Sequence, residues 1–224
     1  MIRFDMSEYQ DSESLDRFLG SLRINEPGQL VSAVRDNPFS LILLDEIEKA
    51  HKNILNIFLQ VFDEGHVTDV FGRKVSFEEN IIIATSNAAA DFIRDLVKQG
   101  LDPSLQKEKL LDALIKGGWF SPEFLNRFDE VVIYHPLTEE QLVKIAEMLV
   151  SALQTRMKEQ GYIINIPQDV VGYIAQAGFD PQFGARPMQR VIQDKLESAI
   201  AKKILEGLVQ KGTEVTLNLE DVTS

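Results

Sequence analysis

Two adjacent carboxylates, Asp45 and Glu46, directly follow the apolar run LILL in the stretch SLILLDEIEKAH, residues 40–51. In an open α/β sheet, ligands sit beyond the carboxyl ends of the strands, where these two acids would lie. One acid there can hold Mg²⁺ directly or through water, and its neighbour can orient or deprotonate an attacking water during phosphoryl transfer. The bland alternative is a strand end leading into a helix with an acidic first turn. A second apolar run, IIIATSN at 81–87, would finish beside the first and bring Thr85, Ser86 and Asn87 into the same crevice. An amide there can position water; equally, Ser86 and Asn87 could begin a turn or cap the helix at AAADFIRDLV.

Four short apolar runs have strand length: MIRF at the start, LILL at 41–44, IIIAT at 81–85 and VVIY at 131–134. Being near-continuous rather than alternating, they are expected to be buried on both faces in a parallel sheet covered by helices. Between them, Ile54, Ile57, Phe58 and Val61 carry the spacing of one apolar helix face. HVTDVF, GRKV and SFEEN read as a hairpin, and residues 98–109 as the most loop-like interior stretch. After VVIYHPL the character changes. Thr138 and Gln141 form a capping box ahead of Leu142, Ile145, Leu149 and Leu153, and Gly161 is placed to end that helix. A short strand YIINI, a helix over about 168–176, a long amphipathic helix from Pro187 to about Glu206, and a strand in EVTLNLE follow. A boundary is therefore expected near Pro136.

The chain has 224 residues, 44% of them hydrophobic, enough for a sizeable core. Its 35 acids against 23 Lys and Arg give a net charge of −12, which argues against sequence-independent binding to nucleic acid or anionic membranes. Without Cys, thiolate metal sites and thiol catalysis are excluded. The first twenty residues are too acidic for a signal peptide and no apolar run reaches spanning length, so a cytoplasmic location is expected. His51, His66 and His135 have no ligand spacing, and Trp119 is expected to anchor a core.

Together, MIRFDMSEY, LILLDEIEKAH, FLQVFDEGHVTDVFGRKVSFEENIIIATSN, FSPEFLNRFDEVVIYHPL and GFDPQFGARPMQR resemble, in order and over nearly the whole chain, the second ATPase module of Clp-type AAA+ protein unfoldases, the ClpB and ClpC class. The resemblance implies a Walker B pair, with Asp45 coordinating Mg²⁺ and Glu46 activating water. It implies sensor 1 at Asn87, an arginine finger at Arg127 and sensor 2 at Arg186. On the residues alone, Arg127 could simply pair with nearby acids such as Asp129 and Glu130. Arg186, one residue before a helix start, is unfavourably placed against the dipole unless an anion is near; a phosphate, Asp180 or Asp194 would supply one.

A nucleotide site of this kind needs the backbone cradle and Lys of G-x-x-x-x-G-K-[ST], and no such string occurs in these 224 residues. In the resembled family that loop precedes IRFDMSEY, so a fragment or truncated product is expected, lacking its first strand and leaving VVIY without an inner neighbour. The implied fold is an incomplete AAA+ P-loop-type parallel sheet with helices over 1–136, followed over 137–224 by a mostly helical small lid with short strands. Between Gly20 and Gly28 the family's aromatic pore loop is replaced by GSLRINEPG, with Leu22 or Ile24 as the remaining candidates for grip. The expected function is the C-terminal part of an ATP-dependent unfoldase module, using ATP and Mg²⁺, joining like AAA+ subunits in a ring, a hexamer, and acting on protein substrates. By itself the chain is expected not to hydrolyse ATP. The rival readings are a non-hydrolytic assembly or adaptor fragment and an Mg²⁺-dependent phosphohydrolase.

Overall fold

The computed structural model describes residues 1–22, 25–181 and 183–223, in two compact units, Met1–His135 and Pro136–Ser224. In the first unit, β1 (Ile2–Asp5), β4 (Leu41–Asp45) and β7 (Ile81–Ala84) form a parallel sheet in the order β1-β4-β7. Between β1 and β4 come α1 (Ser12–Leu19), the two-residue strands β2 (Gly20–Ser21) and β3 (Glu26–Pro27), and α2 (Gln29–Asp36). Between β4 and β7 come α3 (Lys52–Glu64) and the antiparallel hairpin β5 (His66–Thr68) and β6 (Lys74–Ser76).

The register aligns Ile2, Ile42 and Ile82, then Arg3, Leu43 and Ile83, then Phe4, Leu44 and Ala84. Side chains alternate across a sheet, so Ile2, Phe4, Ile42, Leu44, Ile82 and Ala84 share one face. They pack into a core with Phe18 of α1, Leu30, Val31 and Val34 of α2, and Ile54 and Phe58 of α3. Rings link the elements: Phe18 lies 5.2 Å from Phe4 and 6.3 Å from Phe58.

The opposite face departs from expectation. Ile81 and Ile83 are 66% and 43% exposed, so the apolar run of β7 is not covered on both sides. Nor does VVIY form a strand: residues 131–134 are irregular, with Val132 and Tyr134 exposed. A strand needs a neighbour for its N–H and C=O groups, and hydrophobicity alone did not provide one here.

Beyond β7 come α4 (Ala90–Lys98), α5 (Lys107–Lys116) and the short α6 (Pro122–Leu125), capped by Ser121. Trp119 is half exposed over Gly117 rather than anchored in the core. Gly20 and Gly28 hold the β2–β3 turn: a Cβ on Gly28 would lie 2.2 Å from the Leu19 carbonyl carbon. Leu22 is exposed at this turn, and Ile24, the other candidate for grip, lies outside the described residues.

The second unit opens with α7 (Glu139–Glu159), whose start carries both halves of the Thr138–Gln141 capping box. β8 (Ile163–Asn165), α8 (Gln168–Ala177), α9 (Met188–Val191), α10 (Ser198–Leu205), β9 (Glu214–Thr216) and α11 (Leu219–Thr223) follow, with β8 and β9 parallel. α9 and α10 are one continuous helix joined through a π stretch, Ile192–Glu197. Leu219, read as part of the last strand, begins α11 instead. The core gathers Leu142, Ala146 and Val150 of α7, Val170 and Ile174 of α8, and Met188, Leu196 and Ile200.

Candidate functional site

The carboxyl ends of β4 and β7 lie side by side, and each breaks into a turn. Thr85 stitches the turns together. Its amide donates to the Leu44 carbonyl at 2.9 Å, and its carbonyl accepts the Ile47 amide at 2.9 Å. Its hydroxyl donates to Asp45 Oδ1 at 2.5 Å and accepts the Glu46 amide at 3.2 Å. Asp45 lies on the sheet face of Leu41 and Leu43 and also pairs through Oδ2 with Arg3, whose side chain is largely exposed.

Glu46 occupies the left-handed region, φ 56° and ψ 48°. Such a conformation costs a non-glycine residue free energy and persists only where surroundings over-determine it; the two bonds from the Glu46 and Ile47 amides to Thr85 do so here. The Glu46 carboxylate is held by Lys49 at 2.5 Å. Lys49 in turn has its pKa raised, by the hydrogen bond and charge of Glu46 first and by Glu48 and Asp5 after them.

Asn87 is exposed on the second turn. It does not cap α4, whose N-cap is Ala89, in the left-handed region with no side-chain bond; Ser86 begins the turn by accepting the Ala88 amide at 3.0 Å. The Asn87 main-chain N–H donates to Glu48 Oε1 at 3.0 Å. The structure thus places Asp45, Glu46 and Asn87 on two adjoining turns and adds two residues that sequence reasoning had not assigned there. Arg3 was invisible because it acts across a strand pair, and Glu48 because its partner lies 39 residues away in the sequence.

Arg127 stands elsewhere in the same unit. It follows α6, with its amide on the Phe124 carbonyl, and its Nη1 pairs with Asp63 at 2.5 Å near the far end of α3. That helix separates Asp63 from Lys52 by roughly 16 Å at 1.5 Å per residue. The acids adjacent in sequence, Asp129 and Glu130, are not its partners; Glu130 pairs with Lys107 at 2.5 Å. Arg186 belongs to the second unit, exposed, one residue before the Pro187 N-cap of α9, and makes no ion pair among the described residues.

No group of three or more His, Asp or Glu among the described residues is disposed to hold a metal. His51 caps α3 through Nδ1, and His66 and His135 lie beside Glu64 and Asp102. One part-exposed carboxylate with a hydroxyl beside it fits a cation whose other ligands are phosphate and water, the usual habit of Mg²⁺, and not an all-protein cage. No described helix is long and apolar enough to cross a membrane.

The family described as AAA domain (Cdc48 subfamily) matches residues 1–131, and that described as the C-terminal, D2-small domain of ClpB protein matches 137–217. The Chaperone protein ClpB of Meiothermus ruber is 41% identical over 219 residues, covering 96% of this chain and 25% of the relative. That of Vibrio cholerae serotype O1 is 41% identical over 225 residues, covering 99% and 26%. Chaperone protein ClpB 1 of Synechococcus elongatus is 40% identical over 225 residues, with the same coverage. The chain spans about a quarter of the length of these relatives.

Proposed function

The chain belongs to the AAA domain family, Cdc48 subfamily, followed by a ClpB-type D2-small domain, and we propose that it is the C-terminal part of a module that couples ATP hydrolysis to protein remodelling. In this reading residues 1–136 are the large α/β subdomain and 137–224 the lid; no phosphate-cradle string occurs among the 224 residues. The observation that carries this reading is the pair of turns, stitched by Thr85 and by the bond of the Asn87 main-chain N–H to Glu48, that sets Asp45, Glu46 and Asn87 side by side at the carboxyl end of a parallel sheet.

In this reading Glu46 orients the attacking water and takes its proton, Asn87 fixes that water from the neighbouring turn, and Asp45 faces the metal–nucleotide. Mg²⁺ bound with ATP would supply positive charge against the phosphates. Arg127 is offered to the nucleotide of an adjacent subunit in a ring, a hexamer, and Arg186 binds phosphate. The cradle comes from outside these 224 residues. A parallel strand added to the open edge of β7, with the usual right-handed crossover, would cover Ile81 and Ile83. Its following turn would lie beside Thr85 and Asn87.

Calorimetric titration of the chain with ATP and Mg²⁺ tests the reading: weak binding and negligible turnover are expected, and a low-micromolar Kd would sink it. Adding the cradle-bearing segment of a ClpB relative in trans should restore turnover that Glu46→Gln abolishes. The open β7 edge also favours a second reading, a non-hydrolytic adaptor that binds related subunits. Complex formation without any turnover would select it.

A further inference from the structure

The turn after β7 is tied to the acid-bearing turn by one long side chain. Up to Thr85 the two strand ends are joined by backbone and hydroxyl bonds. Across residues 86–89, the Glu48–Asn87 bond is the one hydrogen bond among the described residues that reaches the Asp45–Lys49 turn. It spans 39 residues of chain. Within the turn the Ser86 hydroxyl accepts the Ala88 amide and the Asn87 carbonyl accepts the Ala90 amide at 3.2 Å, but neither bond engages the Asn87 N–H, and Ala89 offers the helix start no side-chain cap.

Glu48 bears a cost in doing this. Its Oε2 is buried with no hydrogen-bond partner among the described residues. A buried carboxylate oxygen left unsatisfied is expensive, so a side chain needed only to fill space there would be better apolar.

We propose that Glu48 is a positioning residue that fixes Asn87 against the Asp45–Glu46 turn; this rests on the functional reading above, in which Asn87 places the water that Glu46 deprotonates. Glu48 touches no reacting atom. It acts on the Asn87 main-chain N–H, denying the 86–89 turn rotation about Thr85, so the Asn87 backbone from which the side-chain amide projects stays in one place relative to Glu46.

Two substitutions separate reach from charge. Glu48→Asp keeps the charge but is one methylene too short; Glu48→Gln keeps the length and an acceptor oxygen. In amide hydrogen exchange on the 224-residue chain, Glu48→Asp should accelerate exchange at Asn87 about tenfold while leaving the Thr85 and Ile47 amides protected, and Glu48→Gln should restore protection to within about twofold. Unchanged exchange at Asn87 in Glu48→Asp would overturn the proposal. So would equal loss at Thr85 and Ile47, which marks general loosening, or rescue by Asp and not Gln. Exchange needs no nucleotide, so it decides the clamp even if the ATPase reading fails. In the complemented module, Glu48→Asp should lower turnover several-fold at unchanged nucleotide affinity. If turnover persists undiminished in Glu48→Asp yet Glu46→Gln abolishes it, Glu48 is structural only; if Glu46→Gln is also without effect, the ATPase reading is what falls.

Discussion

The Thr85 hydroxyl donates to Asp45 Oδ1 at 2.5 Å and so fixes the carboxylate at the end of β4 from the end of β7. The same oxygen accepts the amide of Glu46, the residue held in left-handed backbone. One hydroxyl therefore sets both the side chain of the first acid and the backbone of the second.

Thr85→Val keeps the β-branched shape and deletes the hydroxyl. It should lower stability by about 1 kcal/mol, the usual loss for a hydrogen bond, whereas Thr85→Ser should recover most of it. Urea unfolding followed by the fluorescence of Trp119, the chain's single Trp and part of the first unit, reads the effect on that unit. A Val variant as stable as the parent would show that the turn does not depend on this hydroxyl.

Glu46→Gly should stabilise the first unit by about 0.5–1 kcal/mol, because glycine enters the left-handed region without the Cβ penalty. The same change should abolish turnover in a complemented module. A gain in the urea midpoint with loss of activity would mark Glu46 as strain retained for function; loss of both would place the value of Glu46 in its contact with Lys49.

Asp69 gives a pH-dependent prediction. Burial raises its pKa, but hydrogen bonds from Arg73, from Phe71 and the Arg73 charge outweigh that and leave it below the ordinary range. A carboxyl with a depressed folded pKa contributes stability that is full above its unfolded value of about 3.9. That contribution is lost as pH falls through the folded pKa. The stability gap between the parent and Asp69→Asn should therefore be constant from about pH 7 to 4 and shrink below. A gap that widens on acidification would reverse the assigned sign.

Arg127 separates ion pair from finger. Its pair with Asp63 is substantially exposed on both sides, so Arg127→Ala should change stability by about 0.5 kcal/mol or less. In a complemented ring, turnover should fall by about 10³-fold with nucleotide binding retained, the effect expected of an arginine finger. Equal turnover in parent and variant assigns Arg127 to the Asp63 pair alone.

Much of the crevice was legible because its signals are local: an apolar run that stops abruptly at Asp45, and another that stops at Thr85. What escaped was non-local. VVIY has the composition of a strand, but a strand exists only beside a partner, and hydrophobicity carries no record of one. Arg127 finds Asp63, 64 positions away in the sequence, instead of its acidic neighbours. Glu48 meets the Asn87 N–H from 39 positions away, a pairing that no local pattern encodes.

The π stretch between α9 and α10 follows from arithmetic. Met188, Ile192, Leu196 and Ile200, all buried, recur at strict intervals of four. In a regular α-helix each such step overshoots a full turn by about 40°, so the row would wind off the core within a few turns. A widened turn absorbs the drift, as a leap day absorbs the surplus of the calendar. The helix therefore carries one residue more than its two α segments need. Removing exposed Gln193 should convert the stretch to plain α-helix with both flanking faces still in phase. Removing a residue from α7, which has no such slack, should rotate everything beyond the cut by about 100° and unfold the unit, a contrast circular dichroism and thermal melting would resolve.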